Sequence, residues 1–114
     1  SLQATGEYRR VLQILVNLIG NAVRYAPDGT QVTVETQTSE NGEPCIVVAD
    51  QGSGLTDEQR IKVFEKFERL GRSGDGGSGL GLYISRRLAR AMGGDLKAVE
   101  ADEGARFVLN LPPA

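Results

Sequence analysis

Gln13, Asn17, Asn21 and Arg24 stand four, four and three positions apart in a stretch otherwise dominated by Leu, Ile and Val. On a helix this spacing draws them into one polar stripe. A solvated face is one reading, yet solvent faces are usually built from Lys, Glu and Arg, and Asn costs about half a kcal/mol relative to Ala inside a helix. Short amides in register are also explained by what they hold. An Asn carbonyl is a hard oxygen ligand suited to Mg²⁺, and an Arg one turn on can reach a phosphate. The stripe alone leaves both readings open.

A second group is Asp50-Gln51-Gly52-Ser53-Gly54-Leu55, directly after an apolar run. A carboxylate at a strand end can accept from an exocyclic amine, and glycines let a flat ring lie against backbone. An ordinary Asp-Gly turn has the same composition. A third group, Gly77-Ser78-Gly79-Leu80-Gly81-Leu82, opens a helical pattern. Glycines there leave backbone N–H groups accessible where the helix dipole favours an anion, which suits a polyphosphate. Gly74, Gly76 and Gly79 also fit G-x-G-x-x-G, but the required strand is missing before them, so a dinucleotide fold is excluded. No G-x-x-x-x-G-K-[ST] occurs, which excludes a P-loop. Phe64 and Phe67 read first as core residues and second as anchors for the Gly-rich loop that follows. Arg69 and Arg72 at its base can swing toward a phosphate or remain solvated, and Arg86, Arg87 and Arg90 read most simply as a charged surface.

Composition narrows the chemistry further. The 114 residues include no His, which removes imidazole catalysis and most transition-metal sites from this chain. With 39% hydrophobic residues, 25% charged residues and a net charge of −2, it has the profile of one small globular domain. That balance gives no reason to expect nucleic acid. No run approaches the roughly 18 apolar residues of a membrane span, so this segment is not expected to insert in a bilayer. The one cysteine, Cys45, sits in an apolar run and reads as a small core residue.

Helical periodicity from Glu7 to Tyr25, stopped by Pro27-Asp28-Gly29, predicts a long first helix. Alternation over Thr30–Thr38, with Val32 and Val34 on one face, then Asn41-Gly42 and Cys45–Ala49, predicts an antiparallel hairpin. Thr56 with Gln59 forms a capping box for a short helix toward Val63. After the Gly-rich stretch from Leu70 to Ser78, Leu80–Met92 is helical and ends at Gly93-Gly94. Leu96–Ala101 and Arg106–Leu111 form a second strand pair around Asp102-Glu103-Gly104. The expected fold is α+β, a two-layer α/β sandwich with helices on one face of a mixed sheet, as a single domain over residues 1–114.

Taken in order, these segments resemble the catalytic ATP-binding domain of bacterial sensor histidine kinases, within the superfamily of gyrase and heat-shock chaperone ATPases. Leu15–Tyr25 resembles the N box, Asp50-x-Gly52-x-Gly54 the first glycine box, Phe64–Phe67 the F box and Gly77-x-Gly79-x-Gly81 the second glycine box. Gly93-Gly94 and Phe107-x-x-x-Leu111-Pro112 are similar to the family's ending. The resemblance covers nearly the whole chain and implies a Bergerat-type ATP-binding fold.

By that resemblance Asp50, with Gly52 and Gly54, binds adenine. Asn21 ligates Mg²⁺ with Asn17 in support, and Arg24 and Tyr25 face the phosphates. Gly77, Ser78, Gly79, Leu80 and Gly81 line the phosphate end, and Arg69 contacts the γ-phosphate. Arg24 stands where Lys is commoner, and Gly104-Ala105-Arg106 replaces the usual glycine-serine pair before the last strand, a difference expected to be confined to the turn. Related ATP-hydrolysing members carry a Glu four residues before the magnesium-binding Asn. Here that residue is Asn17, which takes no proton at neutral pH, so hydrolysis by that route is not expected.

The implied activity is protein-histidine kinase, with ATP and Mg²⁺, acting on a histidine of a dimerisation helix hairpin that this chain lacks. The chain alone is therefore expected to be inactive. Further implied partners are a response regulator and a second subunit joined through regions outside these residues, in a cytoplasmic setting compatible with a membrane anchor elsewhere. Two alternatives share the nucleotide pocket or the fold: a pseudokinase acting through protein contacts, and an anti-sigma-type protein serine kinase.

Overall fold

A computed structural model of the chain describes residues 5–25, 27–38, 40, 42–66 and 80–112. The elements are α1 (Thr5–Tyr25), β1 (Thr33–Thr38), β2 (Pro44–Ala49), α2 (Asp57–Lys62), α3 (Gly81–Ala91), β3 (Asp95–Val99) and β4 (Arg106–Asn110). This matches the expected order of elements, with ends displaced by a few residues. Helix α1 runs uninterrupted because Val11, Ile14, Leu18 and Ala22 recur at helical spacing and are all buried. It stops ahead of Pro27, and Gly29 turns the chain at φ +82°. Thr56 accepts from the Gln59 amide and the Gln59 side chain accepts from the Thr56 amide, so the capping box that opens α2 is present.

The sheet order is β1-β2-β4-β3, and each neighbouring pair is antiparallel. The described strands thus form an antiparallel sheet rather than a mixed one. The reason lies in the second hairpin. The helix-containing connection returns β3 in the same direction as β2, which would make a parallel pair if the two were adjacent. The β3–β4 hairpin instead places β4 between them, and every ladder becomes antiparallel.

Helices α1 and α3 pack on each other, α1 on β2 and α3 on β3. Between helices and sheet lie Val48, Leu96, Phe107 and Leu109 from the strands and Ile14, Leu18 and Ala89 from the helices. Phe64 joins this core edge-on to Phe107, with ring centroids 6.1 Å apart at 88°. Among the described residues no helix makes a comparable contact with β1, and all six of its residues are exposed, including Val34 at 47%. The half-buried alternation expected there is absent within β1 because no described helix covers it, although Val32 just before the strand packs against the core. Cys45 is buried as expected, but it lies outside the helix-facing core cluster, and its sulfur accepts from the Asn110 amide at 3.1 Å.

Candidate functional site

Strand β2 delivers Asp50 to the edge of the core at its C-terminal end, and the backbone then fixes the carboxylate. Its Oδ1 accepts from the Gly52 amide at 2.8 Å and from the Ala105 amide at 3.1 Å, while the Asp50 amide donates to the Ala105 carbonyl at 3.0 Å. Both recorded bonds end on Oδ1, which leaves Oδ2 for a donor from a ligand. Two glycines make this clasp possible. A Cβ on Gly104 would lie 2.0 Å from the Asp50 carbonyl oxygen and 2.9 Å from Oδ1, and its φ of +67° is already unfavourable for other residues. Gly54, at φ +78°, approaches the Gly104 carbonyl so closely that a Cβ would stand 3.0 Å from it. The rest of the loop is tethered too: Arg60 donates to the Leu55 carbonyl at 3.1 Å, and Gln51 Oε1 accepts from the Gln31 amide at 3.0 Å.

The polar stripe of α1 divides in two. Gln13 and Arg24 are exposed, whereas Asn17 and Asn21 are half-buried. Asn17 is turned into the seam with α3, where its Nδ2 donates to the Ser85 hydroxyl at 3.0 Å. Asn21 lies one turn farther along the same stripe, and among the described residues no partner for its amide is found. A solvated face therefore accounts for Gln13 and Arg24 alone.

Helix α3 begins at Gly81 with Leu80 as its N-cap. Among the described residues no side chain caps it, and its first turn carries no acidic residue, which leaves its leading N–H groups suited to an anion. Among the described residues neither packing nor backbone demands glycine at 81, since a Cβ there meets none of them within 4 Å and its φ is not positive. Close approach of a ligand is a remaining reason for it.

Asp50, Gly52, Gly54, Asn17, Asn21, Arg24, Leu80 and Gly81 thus have described positions. Phe67, Arg69, Gly77, Ser78 and Gly79 lie outside the described residues, as does the side chain of Tyr25. The arginines of α3 are more than a charged surface. Arg86 and Arg90 reach Asp95 Oδ1 at 3.3 and 3.1 Å, and the Arg86 guanidinium also lies 4.7 Å above the Phe64 ring. Burial raises the Asp95 carboxyl, but the Leu96 amide and the two arginines together outweigh it, so Asp95 titrates below its ordinary value. Arg87 donates to the Tyr83 hydroxyl at 3.1 Å and its charge also favours the phenolate, lowering that phenol.

Three residues of the site escaped sequence reasoning. Gly104 and Ala105 were read as a turn, though they complete the Asp50 clasp. Their only local signal is a glycine placed in a hairpin loop. Ser85 was not singled out, and its signal is a hydroxyl residue in the row of α3 that otherwise carries Leu82, Leu88, Ala89 and Met92.

Residues 6–114 match the family model described as histidine kinase-, DNA gyrase B-, and HSP90-like ATPase. The chain belongs to this family. It is 36% identical over 91% of its length to the swarming motility regulation sensor protein RssA of Serratia marcescens, and 41% identical over 94% to the sensor protein TorS of Escherichia coli. It spans 23% of the first relative and 12% of the second. Among solved structures, full-length ShkA in complex with AMPPNP superposes on 90% of the chain with a TM-score of 0.77 at 36% identity, the chain covering 21% of it. The domain is accordingly an ATP-binding domain of the histidine kinase type, built as an α+β sandwich with an open antiparallel sheet.

Proposed function

We propose that this domain binds ATP with Mg²⁺ and transfers the γ-phosphoryl group to a histidine on a separate dimerisation helix hairpin in two-component signalling. The observation that carries the reading is Asp50, whose Oδ1 is committed to two backbone amides while its other oxygen is left to accept from an exocyclic amine. Family membership and the sensor proteins among the relatives support the histidine branch. In this reading Asp50, Gly52 and Gly54 hold adenine, and Asn21 with Asn17 holds the magnesium ion. Arg24 and Tyr25 face the phosphates. Gly77, Ser78, Gly79, Leu80 and Gly81 line their far end, with Arg69 at the γ-phosphate.

The residues present fit such a ligand: among the described residues the half-buried amide of Asn21 has no partner and the helix start at Leu80 has no side-chain cap, and Asp50 keeps a carboxylate oxygen in reserve. A bound magnesium ion would supply charge neutralisation to the phosphates. The chain contributes positioning and dipoles. Asn17 offers water no general base, and the sequence has no His, so the acceptor belongs to another segment or chain. In the transfer, an imidazole nitrogen bonds to the γ-phosphorus as the bond to the bridging oxygen breaks, releasing ADP. A response regulator, a dimer formed outside these residues and a cytoplasmic setting complete the proposal. Among the described residues no helix is long and apolar enough to cross a membrane.

Calorimetric titration of ATP and ADP, with and without Mg²⁺, tests the site. Mixing the domain with its helix hairpin and ATP tests the transfer. Acid-labile phosphate on the hairpin is expected, and its absence despite ATP binding would leave an ATP-binding module without kinase activity.

A further inference from the structure

Strand β1 lies at one edge of the sheet, and among the described residues no helix packs on it as α1 packs on β2 or α3 on β3. In the order β1-β2-β4-β3, strands β2 and β3 are two spacings apart, roughly 10 Å, which matches the separation of two packed helices. Strand β1 is one spacing farther out. The next place in the helical layer therefore opens over it.

The side left open is apolar. Val34 pairs with Val48, a core residue, so it stands on the helix-facing side of the sheet, yet it is 47% exposed. Ile46, on the same side of β2, is partly buried. On α1, Leu12, Leu15, Ile19 and Val23 are three, four and four residues apart and form one flank. Leu15 and Ile19 each stand two positions from Asn17, about 200° around the helix, and Asn17 meets Ser85 of α3. That flank looks away from α3, toward β1. Leu15 and Ile19 pack partly on the core, whereas Leu12 is 49% and Val23 64% exposed. Six apolar side chains thus line a trough between α1 and β1, and a sheet-and-helix domain buries such a surface against another element.

The size of the trough selects its occupant. From Leu12 to Val23 it runs about 16 Å, the length of three helical turns. A separate protein or a second copy forms a stable interface with roughly 20–30 residues a side, several times what this trough offers. A segment of the same polypeptide needs less, because its tether holds it at high effective concentration and spares most of the loss of free motion. The sensor relatives RssA and TorS, of which the chain spans 23% and 12%, have ample polypeptide outside the matched domain.

We propose that the trough seats an amphipathic helix of about three turns, supplied by another segment of the sensor polypeptide that carries this domain. Its apolar residues recur at three- and four-residue spacing, meet the flank of α1 and extend the helical layer over β1. Nucleotide binding plays no part in this docking.

The test is maleimide labelling of Leu12→Cys, Val23→Cys and Val34→Cys, each in the 114-residue domain and in the full-length sensor polypeptide, with peptide mass spectrometry reading each site. Gln13→Cys, on the exposed side of α1, is the control. Cys45, the one cysteine of the domain, is buried and labels slowly. Circular dichroism checks each fold, and because the three positions are separate, one that fails to fold leaves the other two. All three sites are expected to label fast in the dilute domain. In the full-length polypeptide they should label about tenfold more slowly or less, since the cover must open first, while Gln13→Cys keeps its rate. Adding Leu12→Glu should restore fast labelling at Val23→Cys, because a carboxylate in the trough opposes an apolar cover. Hydrogen exchange on the same polypeptide should show a helical segment outside the domain losing protection with Leu12→Glu. Equally fast labelling in the domain and the full-length polypeptide would overturn the proposal. So would slow labelling in the domain alone that rises on dilution, which would make the occupant a second copy, or protection that survives Leu12→Glu.

Discussion

The two ends of the candidate site are built in opposite ways. At the Asp50 end, backbone does the work. Amides of Gly52 and Ala105 hold one carboxylate oxygen, and Gly104 fits against Asp50 with no room for a Cβ. At the α1 end, side chains do it. Asn17 donates to a buried hydroxyl, and Asn21 has no partner among the described residues. A group held by backbone within a sheet is set as soon as the fold forms, whereas a side-chain amide with no partner among the described residues is, on the function proposed above, completed by what binds. On the function proposed above, the Asp50 end is then a preformed half and the α1 end a ligand-completed half.

The strongest way to break that comparison is Gly104→Val. A Cβ 2.0 Å from the Asp50 carbonyl oxygen, on a backbone at φ +67°, must displace the clasp. We expect a loss of about 3 kcal/mol in urea unfolding together with loss of ATP binding. Asp50→Asn separates the two effects. The variant can keep an acceptor for the backbone amides but puts a donor where Oδ2 was, so unfolding should change by only about 1 kcal/mol while ATP affinity falls about 100-fold. Asn21→Ala should leave stability within about 0.5 kcal/mol and remove about tenfold of affinity, only when Mg²⁺ is present. An equal loss in chelator would mean that both ends are structural.

Smaller effects mark the boundary of the site. Asp95→Asn weakens the partly exposed pairs to Arg86 and Arg90, at a cost of about 0.5–1 kcal/mol and with no change in ATP affinity. Because the folded carboxyl titrates below its ordinary value of 3.8, its contribution is complete above that value and is lost as pH falls through the lower folded value. Unfolding curves of wild type and variant should therefore differ at neutral pH and converge in strong acid. The smallest change is Gly81→Ala, whose Cβ meets nothing within 4 Å among the described residues. It should be neutral or stabilising by about 0.5–1 kcal/mol in thermal unfolding, yet weaken ATP binding measurably. Unchanged binding would remove Gly81 from the ligand-completed half.

Much of this was legible in the residues. The helical periodicity of Val11, Leu12, Leu15, Val16, Leu18, Ile19, Ala22 and Val23, the Thr56–Gln59 capping box and the glycine after the third helix are local signals, and each element they announced is present, although Leu12, Val16 and Val23 are exposed and Ile14 is buried in the core. The stripe from Gln13 to Arg24 does lie along one side of α1, because helical spacing alone puts those residues in line. It did not tell that Asn17 turns into a seam while Gln13 and Arg24 meet solvent, since that depends on where α3 lies. The expected burial of Val34 failed for a related reason: alternation shows that a strand has two faces, not that anything covers them.

Residue types and local spacing thus determined the helices, the hairpins and the positions of Asp50, Asn21 and Gly81 along them. Those features depend on interactions within a few residues, which sequence records directly. Tertiary structure alone decided that β4 enters between β2 and β3, that the amide of Ala105 reaches Asp50 across 55 positions, and that Ser85 meets Asn17 across 68. Such contacts join segments that share no local pattern. They exist only once the core has brought the strands and the two helices together.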